Sequence, residues 1–248
     1  MRTLEITRLT HLDEALFYSD YYGVAPVLLP SFVSGSRACA RWSPEYLDSV
    51  IGGRTVQVHY WPRSLEKPTG EAVLAKTQSC MLPFRKASEL IRIPSEFVYF
   101  MMAKPIKQVF PELLADLDFD EVILGVPQLT SVNLWFAPAG HLTLLHYDGY
   151  DNFLNQIIGR KKITLFSPAD KPYLYSPSEG GTRPPSTVNL FEPDYERFPH
   201  FGRATPIEFI LEPGDTLYLP TGWSHQIESL DVTVSVNFFF GKKESPRV

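Results

Sequence analysis

Short alternating runs of apolar and polar residues fill the second half of the chain. From Ser131 onward they predict strands at 132–136, 143–147, 152–158, 161–166, 207–211, 216–219, 225–229 and 233–240. Gly140, Gly159, Pro213-Gly214-Asp215 and Thr221-Gly222 separate them as turns. Eight short strands punctuated in this way predict a double-stranded jelly roll, two antiparallel sheets face to face. The first half has a different rhythm. A helical period predicts a short helix over 11–22, with Leu12, Ala15, Leu16 and Phe17 on its apolar face. Ser43 then Pro44 is a helix start, and Gly52-Gly53 its end. A further helix is expected over 83–91, strands over 24–29 and 55–60, and a short extended stretch over 98–101. Residues 62–70 and 180–186 read as loops, and Pro111 interrupts 106–114. The fold class is mainly β with N-terminal helices. No linker separates 1–120 from 121–248, so the N-terminal region is expected to pack on the jelly-roll core as one unit.

Composition supports that reading. The chain has 248 residues, 44% hydrophobic, enough for a sizeable core. Aromatics at 13% and 22 prolines suit a β-rich fold with many turns. A net charge of −5 without a long basic run disfavours nucleic acid as the main partner. Cys39 and Cys80 allow one bridge or two reduced thiols. The first ten residues lack an apolar signal core, and no run of about 18 apolar residues occurs, so a soluble, cytoplasmic protein without a membrane partner is expected.

The chemistry concentrates at His146-Tyr147-Asp148 and at His225, which lies 225 − 148 = 77 residues beyond Asp148. His146 and Asp148 share one face of an extended strand, and Tyr147 points the other way. Two imidazoles and a carboxylate are the donor set of a non-haem iron(II) centre that keeps positions open. By itself H-x-D is also what a surface or satisfied core histidine looks like. Lys161 alternates with Arg160 and Lys162, so one of the three ammonium or guanidinium groups can point inward while the others are solvated. Asn152 and Asn237 sit in apolar strands, where an amide needs partners or faces water. His11, His59 and His200 have no metal partners at recognisable spacing, and His141 reads as a loop histidine beside Gly140. No nucleotide-binding glycine loop, zinc cysteine pattern or serine nucleophile elbow is present.

The wider context is more specific. Residues 152–168 (NFLNQIIGRKKITLFSP), 212–224 (EPGDTLYLPTGWS), 234–239 (VSVNFF) and 189–199 (NLFEPDYERFP) surround the metal motif. Together they resemble the Jumonji-C/cupin oxygenases that use iron(II) and 2-oxoglutarate. The likeness is greatest to the asparaginyl hydroxylase branch that includes factor inhibiting HIF, with the tRNA wybutosine hydroxylase near it. It is strong over 133–240 and thinner before, where Arg41-Trp42-Ser43-Pro44-Glu45-Tyr46-Leu47 matches the family's N-terminal region.

The resemblance implies a dioxygenase that couples oxidation of a C–H bond by O2 to conversion of 2-oxoglutarate into succinate and CO2. His146, Asp148 and His225 become the catalytic iron ligands. Lys161 becomes the partner of the distal carboxylate of 2-oxoglutarate, assisted by Thr143 and Tyr99, with Asn152 and Asn237 lining that site. Trp223 is a wall of the site or ordinary core. The branch has a Gln two residues after its cofactor tyrosine, where Met101, followed by Met102, stands here; Phe239 replaces a Trp. Met101, Trp223 and Phe239 therefore form the expected substrate face, apolar rather than amide-gripping. The expected substrate is a protein, a peptide or an amino-acid-like molecule. The alternatives are a catalytically silent cupin-fold binding protein and a tRNA-base hydroxylase. Histone demethylation is disfavoured by the lack of a chromatin-reading module. The C-terminal helices through which the asparaginyl hydroxylase dimerises have no counterpart before Val248, so dimerisation by that route is not expected.

Overall fold

In the computed structural model, which describes residues 4–65, 70–176 and 186–241, the eight predicted strands are all present and four more precede them. The strands are β1 Val27–Leu29, β2 Thr55–Pro62, β3 Gln78–Pro83, β4 Phe97–Pro105, β5 Ser131–Ala137 and β6 Leu142–Tyr147. They continue with β7 Asp151–Ile158, β8 Lys161–Phe166, β9 Ile207–Leu211, β10 Thr216–Leu219, β11 Ser224–Ser229 and β12 Thr233–Phe240. The longer helices are α1 Pro44–Ile51, α2 Gly70–Lys76 and α3 Phe84–Arg92. An eight-stranded sheet has the order β1-β10-β7-β12-β5-β4-β2-β3, and a four-stranded sheet the order β6-β11-β8-β9. Every strand pairing is antiparallel.

Alternation decides what each face does. On β12, Val234, Val236, Phe238 and Phe240 join a core cluster with Leu47 and Ile51 of α1 and Phe84, Ala87 and Ile91 of α3. The intervening Ser235 and Asn237 point toward the small sheet and are buried too. Where the two sheets meet, Leu28, Leu154, Leu217 and Leu219 from the large one pack on Ile163, Leu165, Ile207, Phe209 and Leu211 from the small one. Each such side chain removed from water contributes about 1.5–3 kcal/mol. The outer face of the small sheet is covered by Leu174, Val188, Phe198 and Phe201, packed on Leu145 and Phe166.

Local chemistry sets the boundaries. The Ser43 hydroxyl accepts from the Tyr46 backbone N–H and Pro44 occupies the first turn of α1. Gly159 turns β7 into β8 at φ +69°, and a Cβ there would lie 2.3 Å from the Val232 carbonyl oxygen.

The N-terminal half departs from expectation. The strand expected over 24–29 shortens to β1, and the stretch at 98–101 extends to Pro105. Helix α2 and strand β3 were not predicted. β3 is an outer strand of half-exposed and exposed residues, Gln78 to Pro83, so it lacks the apolar alternation that marks a buried strand. The expected loop at 180–186 lies outside the described residues except for Ser186, as do 66–69 of the loop at 62–70. Both cysteines are free thiols. Among the described residues no helix is long and apolar enough to cross a membrane.

Candidate metal centre

His146 lies near the end of β6 and His225 near the start of β11, directly opposite in register. Antiparallel partners present their side chains on one face, and the two imidazole centroids are 4.3 Å apart. Asp148 follows β6 at the turn. Its backbone carbonyl accepts from the Gly222 N–H at 3.0 Å and from the Thr221 hydroxyl at 3.2 Å, which ties it to the loop that leads into β11. Gly222, at φ +82°, makes this turn possible. The carboxylate spans both rings: Oδ1 is 3.7 Å from Nε2 of His146, and Oδ2 is 3.7 Å from Nε2 of His225.

These separations exceed a hydrogen bond, and donor atoms from all three residues lie within 4.8 Å of one another. The tautomers fit a metal as well. Nδ1 of His146 is 2.7 Å from the Leu144 carbonyl and Nδ1 of His225 is 3.1 Å from the Trp223 carbonyl. A carbonyl only accepts, so each Nδ1 carries the proton and each Nε2 offers a lone pair. Burial, assisted by the neighbouring His146, pushes the His225 pKa down to about 4, so its ring is neutral. Two imidazoles and one carboxylate fit a divalent ion with positions to spare.

Thr143 reaches the same face by a bulge. It lies three residues before His146, an odd spacing that a regular strand would send to the opposite side. The register runs His225↔His146 and then Ile227↔Thr143, so Leu144 and Leu145 together oppose a single residue. Thr143 and His146 therefore both face inward and line one cavity.

Lys161 begins β8 on that inner face and is 7% exposed. Arg160 pairs with Asp231 and Lys162 with Glu208 on the outside. Lys161 has no anionic partner among the described residues, and burial lowers its pKa to about 8. Across the interior, Asn237 donates to the Asn152 side-chain oxygen at 3.1 Å and accepts from Trp135 Nε1 at 2.7 Å and from Asn133 at 3.3 Å. Both predicted amides thus belong to a buried network on the large sheet. Phe239 follows on the same face of β12, opposite Asn152, with its ring 6.2 Å from Tyr150. Trp223 packs against the intersheet cluster and supplies the carbonyl that orients His225.

Tyr99 and Met101 do not reach the site. Both pack with the helix-side core, and Tyr99 lies against Tyr60 at 5.3 Å and Phe97 at 6.0 Å. The register expected for β4 was one residue off. Val98 and Phe100 point into the interior, and Phe100 and Met102 line the cavity instead. The inward face of β4 thus carries Phe100 and Met102 in place of Tyr99 and Met101.

The cavity, of about 240 Å³, is also lined by Trp61, Trp135, His141 and Leu144. None of these four was singled out for the site from sequence. For His141 a signal existed: it stands two residues before Thr143, on the same side of an extended chain.

The Cupin-like domain family matches residues 14–245. The chain is 30% identical over 235 residues to Lysine-specific demethylase 8 of Xenopus tropicalis, covering 93% of this chain and 52% of that protein. It is 30% identical over 258 residues to tRNA wybutosine-synthesizing protein 5 of Mus musculus, covering 96% of this chain and 78% of that protein. The chain thus spans about half the length of the demethylase and about three quarters of the wybutosine protein. Neither relative is named as an asparaginyl hydroxylase. The X-ray structure of E. coli ycfD shares the fold, with a TM-score of 0.60, 19% identity, and 95% of this chain and 54% of that chain covered. The protein belongs to the cupin-like, Jumonji-C-related family.

Proposed function

We propose that the chain is an iron(II)- and 2-oxoglutarate-dependent dioxygenase that hydroxylates a C–H bond of a protein, a peptide or an amino-acid-like molecule. One observation carries this: an open set of three metal donors shares an inner sheet face with the buried ammonium of Lys161, which has no anionic partner among the described residues. A structural metal site needs no such cation, and a buried cation without an anion is costly. A ligand that chelates a metal through one end and offers a carboxylate at the other satisfies both.

Bound iron would supply activation of O2, with 2-oxoglutarate as the electron source. The chain's own residues do the rest. His146 and His225 offer lone pairs fixed by their carbonyl contacts, and Asp148 offsets part of the ion's charge. Lys161 holds the distal carboxylate by a charge-assisted hydrogen bond, and Thr143 adds a hydroxyl. Trp61, Phe100, Met102 and Leu144 form an apolar wall that favours an apolar or mixed substrate group. The relatives' names point to a lysine and to a tRNA base as alternative targets. The net charge of −5 and the apolar wall favour the protein, peptide or small-molecule class.

The test is oxygen-free loading with iron(II) and 2-oxoglutarate, then oxygen, with succinate measured and peptide, tRNA and metabolite pools screened for a gain of one oxygen. Asp148→Ala should abolish succinate formation. Succinate at the wild-type rate in that variant, at equal iron, would overturn the assignment.

A further inference from the structure

The small sheet lines up its inner residues in cross-strand rows. One row contains His146, His225 and Leu165, through the pairings His225↔His146 and His225↔Leu165. Four residues along β8 and β11, Lys161 pairs with Ser229. The next neighbour in that row is His141, whose carbonyl accepts from the Ser229 N–H at 2.9 Å. His141 is five residues from His146 rather than four, and the bulge at Leu144–Leu145 absorbs the difference. Lys161 and His141 therefore flank Ser229 at the same level, on the same sheet face as the metal donors and four residues along β11 from His225.

Ser229 is already engaged, its hydroxyl 3.0 Å from that of Thr233. His141 is not. It is 6% exposed, and neither ring nitrogen has a hydrogen-bond partner among the described residues. Its ring is held by aromatic faces, Trp61 at 5.2 Å and nearly parallel, Phe100 at 4.4 Å, and it lines the same cavity as Thr143 and His146. An imidazole at a cavity wall with both nitrogens idle keeps its full hydrogen-bonding capacity for a ligand there. Phe100 offers no hydroxyl on this side of the cavity.

We infer that His141 is a co-substrate-binding residue, donating an N–H to the distal carboxylate of 2-oxoglutarate opposite the ammonium of Lys161. The inference rests on the co-substrate reading above. Burial and the nearby Lys161 hold the free ring neutral, with a pKa of about 3, so it adds a directional donor and no second charge. A carboxylate has room for both donors, and Thr143 can supply a third.

The experiment uses the full chain loaded with Zn(II), which neither oxidises nor turns over. Titration calorimetry is run with 2-oxoglutarate and with oxalate, which chelates a metal but has no distal arm. His141→Phe should weaken 2-oxoglutarate tenfold or more and leave oxalate unchanged, and His141→Gln, which keeps a donor, should recover most of the loss. Equal 2-oxoglutarate affinity in wild type and His141→Phe, with Lys161→Met weakened, overturns the role of His141 and leaves the co-substrate reading standing. Failure of wild type to bind 2-oxoglutarate overturns both. A second readout does not depend on the phenylalanine variant folding. In protein labelled with ¹⁵N-histidine, the imidazole signal missing from His141→Gln should move with 2-oxoglutarate and stay still with oxalate; no movement with 2-oxoglutarate overturns the inference.

Discussion

The two sheets meet across one interior, yet their inner faces are equipped in opposite ways. The small sheet presents groups with unused capacity: the Nε2 atoms of His146 and His225, the ammonium of Lys161 and the ring of His141. The large sheet presents polar groups that satisfy one another. Asn237 joins Asn152, Asn133 and Trp135, and Ser235 donates to Gln156 at 2.7 Å. The difference teaches that burial of a polar side chain does not by itself mark a ligand contact. Whether its hydrogen bonds are already made decides whether it binds or braces. Asn152 and Asn237 are expected on this basis to brace first, with the Asn152 amide nitrogen, which has no partner among the described residues, as the network's free end.

The comparison is tested most severely at Lys161. A charge-assisted hydrogen bond to a buried carboxylate is worth about 1.5–3 kcal/mol, so Lys161→Met should weaken 2-oxoglutarate by roughly 10- to 150-fold. Iron affinity should change little, because Lys161 is remote from the donor set. Lys162→Ala should leave both within about twofold, since Lys162 pairs with Glu208 on the outer face and exposed pairs contribute little. Equilibrium binding of the two variants decides; a larger loss in Lys162→Ala would place the wrong residue inside.

The braced face should respond the other way. Asn237→Leu removes the acceptor of the Trp135 indole N–H and one of the two acceptors of the Asn133 amide, which keeps the Ser131 hydroxyl. The expected loss is about 1–3 kcal/mol of stability per orphaned group, read by urea denaturation. Co-substrate affinity, measured well below the denaturation midpoint, should fall less than in Lys161→Met. An affinity loss without a stability loss would make Asn237 a ligand contact and dissolve the contrast between the faces.

Titration gives a subtler test. In the free protein burial holds the Lys161 pKa at about 8, below its ordinary value. An anion needs the protonated form, so 2-oxoglutarate affinity should be flat below that pH and fall by up to tenfold per unit above it. His141, the titratable neighbour, stays neutral throughout, its pKa being about 3. For the unliganded protein the sign is opposite. Between about 8 and the ordinary lysine value the unfolded chain binds more protons at this residue than the folded one, so its contribution to stability rises with pH. Lys161→Met should flatten the binding profile.

Much of this was legible in the sequence, and what was missed has physical causes. From Ser131 on, each strand buries one apolar set against its neighbours and ends at glycine or proline, so β8, β9, β10 and β12 match their predicted bounds. The metal triad was readable because two of its members share one strand face. The register of β4 was not. Phe97-Val98-Tyr99-Phe100-Met101-Met102 is apolar or aromatic at every position, so alternation carries no information there, and side chains from both of its faces join core clusters. His141 reads as a loop residue because a glycine stands beside it, and nothing local reveals that Trp61, far away in sequence, stacks on it.

The corrected register of β4 sets the last and smallest expectation. Met101 is 1% exposed within the helix-side core, whereas Met102 is 43% exposed and lines the cavity. Gln at 101 would bury an unpaired amide and lower stability by about 1–3 kcal/mol without touching substrate. Gln at 102 adds an amide at the cavity wall, where water can still satisfy it, so stability should hold. A substrate carboxamide would then find a matching donor and acceptor, worth about 0.5–1.5 kcal/mol net, or roughly 2- to 12-fold in preference. The measurement is a competition between peptides presenting Asn and peptides presenting Leu, Val or Lys, scored by mass spectrometry for an added oxygen. Wild type should favour the apolar or mixed side chains, and Met102→Gln should move the ratio toward Asn. If Met101→Gln moves it and Met102→Gln does not, the inward face of β4 is the other one, and Tyr99 returns to the site with Met101.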